Sequence, residues 1–237
     1  MQGQFLFRWR SYIPLIMFSL VVFSLQNYRY FGGGPGTDII WKVFCLFISL
    51  TGLFIRIITV GHIHPGTSGR NTKYQEADNL NIAGMYSIVR NPLYLGNIIM
   101  YMGVIFISRD IAFAAVFLAV LVLYYERIIY TEECFLLEKY GAAYSDWAGK
   151  TPLLLPNFRN YKKTGSKFNW KLVLRKEFSG IFAVAVVFFM IDFISNYFAS
   201  GKFSTDIFWT VYLSVNMVFY LGVLYLKKKT RILTAPV

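Results

Sequence analysis

Apolar residues in this chain gather into runs instead of alternating with polar ones. Six runs, near 11–28, 39–60, 93–108, 111–130, 178–199 and 205–226, approach the roughly 20 residues that a helix needs to cross a bilayer. The third and fourth are separated only by Ser108, Arg109 and Asp110, which predicts an antiparallel hairpin with its facing surfaces in contact. Arg8 and Arg10 precede the first run in the manner of a secretory signal. No small-x-small cleavage site follows and further runs come after it, so this run reads as a retained helix. The pattern predicts an all-α, polytopic membrane protein with about six transmembrane helices in a single membrane domain, 1–237.

Composition agrees, since 56% hydrophobic residues with 15% charged leave too little polar surface to coat a soluble globule. The net charge of +12 would suit a nucleic-acid binder, but the basic residues lie between apolar runs, so no nucleic acid is expected. Their distribution gives an orientation. Nineteen Lys and Arg fall in the N-terminal tail, the segment between spans two and three, residues 127–176 and the C-terminal tail; only Arg29, Arg109 and Lys202 fall on the opposite side. Both termini and the polar segments 61–92 and 131–176 are therefore expected on the cytoplasmic face, as for a bacterial inner-membrane protein with its active site there. Lys227, Lys228, Lys229 and Arg231 form a stop signal that favours anionic lipid head groups. In residues 157–176, basic side chains interleave with Phe158, Tyr161, Phe168 and Trp170, reading as an interfacial connector or a collector of anionic lipid. Cys45 and Cys134 are too few to staple a fold and read as packing residues. The run Gly32–Gly36 lacks the Lys-Ser/Thr of a phosphate loop and reads as an external loop.

Candidate chemistry lies where polar sequence enters the spans. Pro92 lacks an N–H and restrains Asn91, so a helix is expected to begin at Pro92 with Asn91 as its cap, its free amides facing the interface beside Arg90. Either an anion site or a capped helix with a snorkelling arginine fits this pattern. At the end of span four, Glu126, Tyr130 and Glu133 have the spacing of one helix face, at a depth where carboxylates are usually paired or functional.

In order along the chain stand Gly84, Tyr86, Arg90, Pro92, Tyr94 and Gly96, then a hairpin, then Glu132, Glu133, Leu136, Tyr140, Gly141, Tyr144 and Pro156. This order resembles the isoprenylcysteine carboxyl methyltransferase and phospholipid methyltransferase superfamily over about residues 45–157. The resemblance implies a methyltransferase core at 45–157; the residues beyond it read as a basic interfacial connector at 158–176 and a C-terminal two-helix hairpin at 177–237. It also implies an S-adenosyl-L-methionine site from Gly84, Tyr86, Arg90, Asn91, Pro92, Tyr94, Glu132 and Glu133, with Arg90 facing the cofactor carboxylate and a glutamate its ammonium or ribose hydroxyls. Asn91 stands where the superfamily usually has His; it still donates a hydrogen bond but cannot titrate near neutral pH.

Upstream, the polar stretch His62 to Lys73 offers hydroxyls, amides, Arg70 and Lys73, a donor set that suits a phosphate oxyanion. The stretch is similar to that of bacterial superfamily members that methylate a lipid A phosphate, and a polar surface loop is its plainer reading. His62 and His64 lack a third ligand, so no metal is expected. The sequence thus predicts methyl transfer to a membrane lipid substrate, with lipid A 1-phosphate leading and an isoprenylcysteine carboxyl or phospholipid amine behind it. Arg56, Arg70 and Lys73 are the candidates to align the acceptor, and an anionic acceptor demands no general base. No protein partner is indicated. A sterol-type NAD(P)H reductase lacks its phosphate-binding glycines here, and a transporter would carry mid-membrane charges where this chain is expected to hold charged clusters at one interface.

Overall fold

A computed structural model describes residues 13–63, 79–230 and 233, and every regular element among them is helical. All six apolar runs become helices. Four are long and apolar enough to cross a membrane: α2 (Pro35–His62), α5 (Ile111–Tyr140), α7 (Trp170–Ser200) and α8 (Ile207–Lys229). The first and third runs form the shorter α1 (Ile13–Ser24) and α4 (Pro92–Phe106), of 12 and 15 residues, below the ~20 of a full span. The one-turn α3 (Met85–Ile88) and the short α6 (Ala142–Ala148) flank the site end.

Local chemistry sets the starts. Pro35 and Pro92 occupy the first turns of α2 and α4, where a missing N–H costs nothing. Asp110, Asn169 and Asp206 accept the backbone N–H of Phe113, Leu172 and Phe208 to cap α5, α7 and α8. The cap at Asn169 begins α7 inside the expected connector, so Lys171, Arg175 and Lys176 lie on the first turns of a long helix rather than in an extended segment.

α4 packs antiparallel on α2 along a stripe of small residues. A Cβ on Gly96 would lie 2.7 Å from the Gly52 carbonyl oxygen and 2.6 Å from Arg56 Cγ, so glycine alone permits this approach. Trp41 Nε1 donates to the Phe106 carbonyl (3.2 Å) and Ser49 Oγ to that of Met100 (2.8 Å), fixing the register. α7 also runs antiparallel to α2, and α8 returns along α7 through stacked Phe182–Tyr220 and Phe188–Trp209.

Two ionic contacts tie α2 to α7. At one end, Lys42 Nζ sits between Asp38 (2.7 Å) and Asp192 (2.8 Å), with all three side chains at most 4% exposed. Asp38 also accepts from the Tyr28 hydroxyl and the Phe31 amide, while Asp192 accepts from Asn196, Thr205 and the Asp206 amide. At the other end, Arg56 pairs with Glu177. Charges are therefore not confined to one interface, contrary to the sequence expectation. They are sustained inside the bundle because pairing and hydrogen bonds offset the desolvation that makes a lone charge there costly.

Candidate active site

The end of the bundle where α4 begins is assembled from two irregular straps stitched by backbone hydrogen bonds. Residues 84–90 meet residues 152–162 through Gly84 N to Lys162 O (2.8 Å), Asn157 N to Ile88 O (2.9 Å) and Arg90 N to Pro152 O (2.8 Å). Ser87 Oγ joins in, donating to the Gly84 carbonyl and accepting the Lys162 amide. Irregular backbone is tolerated here because its polar groups are satisfied within protein. Gly84 opens the first strap at φ 61, a left-handed value that glycine adopts without strain.

These straps bring the two sequence motifs together. Arg90 Nε lies 3.1 Å from Glu133 Oε1 at 20% and 23% side-chain exposure, and Arg90 NH1 donates to the Ala148 carbonyl (3.1 Å). Asn91 Nδ2 points at Glu133 Oε1 and the Leu153 carbonyl, each at 3.4 Å. Tyr94 donates its hydroxyl to Glu132 Oε1 (2.7 Å). Trp147 Nε1 donates to the Tyr86 carbonyl (3.1 Å), docking α6 onto the first strap. Gly84, Tyr86, Arg90, Asn91, Pro92, Tyr94, Glu132 and Glu133 thus share one end of the bundle.

Several expectations are corrected. Asn91 precedes α4 but makes no side-chain cap, because its amide turns to the Glu133 carboxylate instead. Arg90 is bonded inside the site rather than snorkelling. Glu126 and Tyr130 are exposed and do not join Glu133, although the three share a helical spacing; only Glu133 faces the Arg90 strap. Arg56 Nε and NH2 grip both oxygens of the buried Glu177 (2.9 and 2.7 Å), and NH1 donates to Asn97 Oδ1 (2.8 Å). Sequence reasoning passed over Glu177, Asp192, Asp38 and Lys42, whose one signal is charge within an apolar run (Lys42, Asp192) or immediately before one (Asp38, Glu177). His64, Thr67, Ser68, Arg70, Asn71, Thr72 and Lys73 lie outside the described residues.

Two buried polar atoms of this end make no well-aligned hydrogen bond in the protein. Arg90 Nε contacts Glu133 without hydrogen-bond alignment, and the Tyr144 hydroxyl, on a side chain only 5% exposed, lies beside Glu133 without a well-aligned hydrogen bond to it. Burial, with Glu133 beside it, pushes the Tyr144 phenol well above the usual tyrosine range, so it stays a donor. Burial raises Tyr86 in the same direction, aided by Glu132 and opposed by Arg56. Orphaned donors beside a carboxylate suit a ligand carrying both charges, and S-adenosyl-L-methionine is one: a carboxylate for Arg90, an ammonium for Glu133.

Residues 40–143 match the family model for phospholipid methyltransferase. The matched stretch runs from within α2 through α5 to the start of α6, including Arg90, Asn91, Tyr94 and both glutamates, and it overlaps most of the stretch that carries the motif resemblance. The match covers less than half of the chain. Over 156 residues the chain is 27% identical to the cobalt-zinc-cadmium resistance protein CzcN of Cupriavidus metallidurans, covering 65% of this chain and 64% of that protein. The chain thus spans less than two thirds of the length of that curated relative. Among the described residues, no group of three or more His, Cys, Asp or Glu is placed to hold a metal ion. No solved structure matches.

Proposed function

We propose that the protein transfers a methyl group from S-adenosyl-L-methionine to a lipid-like acceptor that enters sideways from the bilayer. The observation that carries this reading is the Arg90–Glu133 pair, both residues within the stretch matched by the family model, with the Tyr144 hydroxyl beside Glu133 one residue beyond it. Arg90 would hold the cofactor carboxylate, Glu133 its ammonium, and Glu132 with Tyr94 the ribose hydroxyls, while Asn91 fixes Glu133. The bound cofactor supplies an electrophilic methyl on a sulfonium. The straps align it, and holding the reactants ~3–3.5 Å apart can lower the barrier by roughly 7–11 kcal/mol.

Within this reading the acceptor is a lipid phosphate, lipid A 1-phosphate being the most specific candidate, with Arg70 and Lys73 recruiting the anionic lipid. Arg56 is committed to Glu177 and Asn97, and we assign it to holding α2, α4 and α7 in register at the site. The site end faces the cytoplasm, where anionic head groups meet the basic residues of 159–176 and 227–229. The test is to supply methyl-labelled S-adenosylmethionine to native membranes and to purified protein, with NADPH binding measured alongside. Labelled lipid phosphate is expected; binding of NADPH in place of S-adenosylmethionine would refute the reading.

A further inference from the structure

A cleft of about 120 Å³ opens at the site end between the last turn of α2 and the first strap, lined by His62, Ile63, Asn81, Met85, Tyr86 and Thr164 among others. No charged side chain lines it among the described residues. Tyr86 forms a wall shared with the cofactor site, since its phenol feels both Glu132 and Arg56 and its carbonyl takes the Trp147 indole N–H. The space suits a head group rather than a whole lipid.

His62 enters this cleft with its tautomer fixed. Nδ1 lies 3.0 Å from the Ile58 carbonyl, which can only accept, so Nδ1 carries the hydrogen and Nε2 is the acceptor of the neutral ring. The ring is further held edge-on by Phe168, with centroids 5.3 Å apart, and the Ser166 hydroxyl donates to the His62 carbonyl at 2.6 Å. Such fixing is how a proton carrier is prepared, and the methyl-transfer reading has so far used no residue for that task.

We propose that this cleft receives the phosphate of the methyl acceptor and that His62 Nε2 takes the phosphate's last proton before methyl transfer. The inference rests on the methyltransferase reading above. In water a phosphate monoester loses its second proton at about pH 6. With no charge on the cleft's described lining, desolvation disfavours the dianion, so the bound group keeps one P–OH and is the poorer nucleophile. Transfer of that hydrogen to Nε2 leaves a P–O⁻ whose electron pair forms the new O–CH₃ bond. The C–S bond breaks with its pair going to sulfur, which leaves as a neutral thioether, and the imidazolium returns its proton to water. The titratable group missing at Asn91 is in this way supplied from α2.

The test uses wild type and His62→Gln in vesicles of native membrane lipids with methyl-labelled S-adenosylmethionine. The variant is expected to label lipid phosphate about 10²–10⁴-fold more slowly, the usual contribution of a general base, with unchanged cofactor affinity. Free imidazole is expected to restore part of its rate and leave the wild type unmoved. Asn81→Ala, a second variant on the opposite wall, is expected to raise the KM for lipid alone. Wild-type turnover in His62→Gln, a loss that imidazole does not recover, or a loss that follows cofactor affinity would overturn the proton-acceptor role. Wild type that binds no S-adenosylmethionine overturns the methyltransferase reading itself, and label in an amine head group overturns the phosphate assignment.

Discussion

Lys42 and Asp192 stand 150 positions apart in the chain and 2.8 Å apart in the fold, with Asp38 on the other side of the ammonium. Removing the cation while keeping an apolar stem, as in Lys42→Met, leaves two carboxylates facing each other in the interior. The expected cost is about 3–5 kcal/mol, read as a lowered midpoint of thermal unfolding in detergent. Lys42→Met with Asp192→Leu is expected to recover part of that loss, and wild-type stability in the single variant would show that the triad contributes nothing.

Arg90→Ala and Glu133→Ala are each expected to weaken S-adenosylmethionine binding by about 1.5–3 kcal/mol, the value of a charge-assisted hydrogen bond. Because the two side chains touch, the double variant should lose less than the sum of the singles. Calorimetric titration of the four proteins closes this cycle. Additive losses would mean that the pair does not act as a unit.

The Tyr144 hydroxyl lies beside Glu133 but makes no well-aligned hydrogen bond to it, so Tyr144→Phe is expected to change unfolding stability by no more than about 0.5 kcal/mol. Cofactor affinity should fall about tenfold if the hydroxyl donates to the ligand, since one hydrogen bond is worth roughly 1 kcal/mol or more. Equal affinity in Tyr144→Phe and wild type would remove Tyr144 from the site.

At Gly96 a methyl group would press into the Gly52 carbonyl and the Arg56 stem. Gly96→Ala is therefore expected to destabilise by about 1–3 kcal/mol despite the better helix propensity of alanine. Gly222, with open space around its Cβ position, is the control: Gly222→Ala should be neutral or mildly stabilising.

Single cysteines placed at Gly33 and Lys202 are expected to react with an impermeant thiol reagent added outside the cell, and one at Lys163 is not. Labelling at Lys163 would invert the orientation and put the proposed cofactor site on the wrong side.

The apolar helices and the neighbourhood of Arg90, Asn91, Tyr94, Glu132 and Glu133 were legible because each announces itself locally: an apolar run, a proline at a helix start, carboxylates where a helix leaves an apolar run. The partner of each was less so. Arg56 reads as free for an anion until Glu177, 121 residues on, takes both edges of its guanidinium. Asn91 reads as a cap because capping is a short-range habit, and only the fold puts a carboxylate closer to hand. Glu126, Tyr130 and Glu133 share a periodicity, but periodicity does not say which end of a face meets protein and which meets its surroundings.

The pairing of α2 with α7 has a consequence for biosynthesis. A ribosome delivers α2 long before α7, so Arg56 must wait 121 residues for Glu177 and Lys42 must wait 150 for Asp192. The two cations do not wait on equal terms. Lys42 carries Asp38 one turn away on its own helix, an acid available as soon as α2 forms. Arg56 pairs with no acid of α2 in the finished fold, and NH1 reaches Asn97 and Leu93 of α4, which emerges soon after α2. The nascent chain thus shelters each charge in stages, and α7 completes the shelter for both.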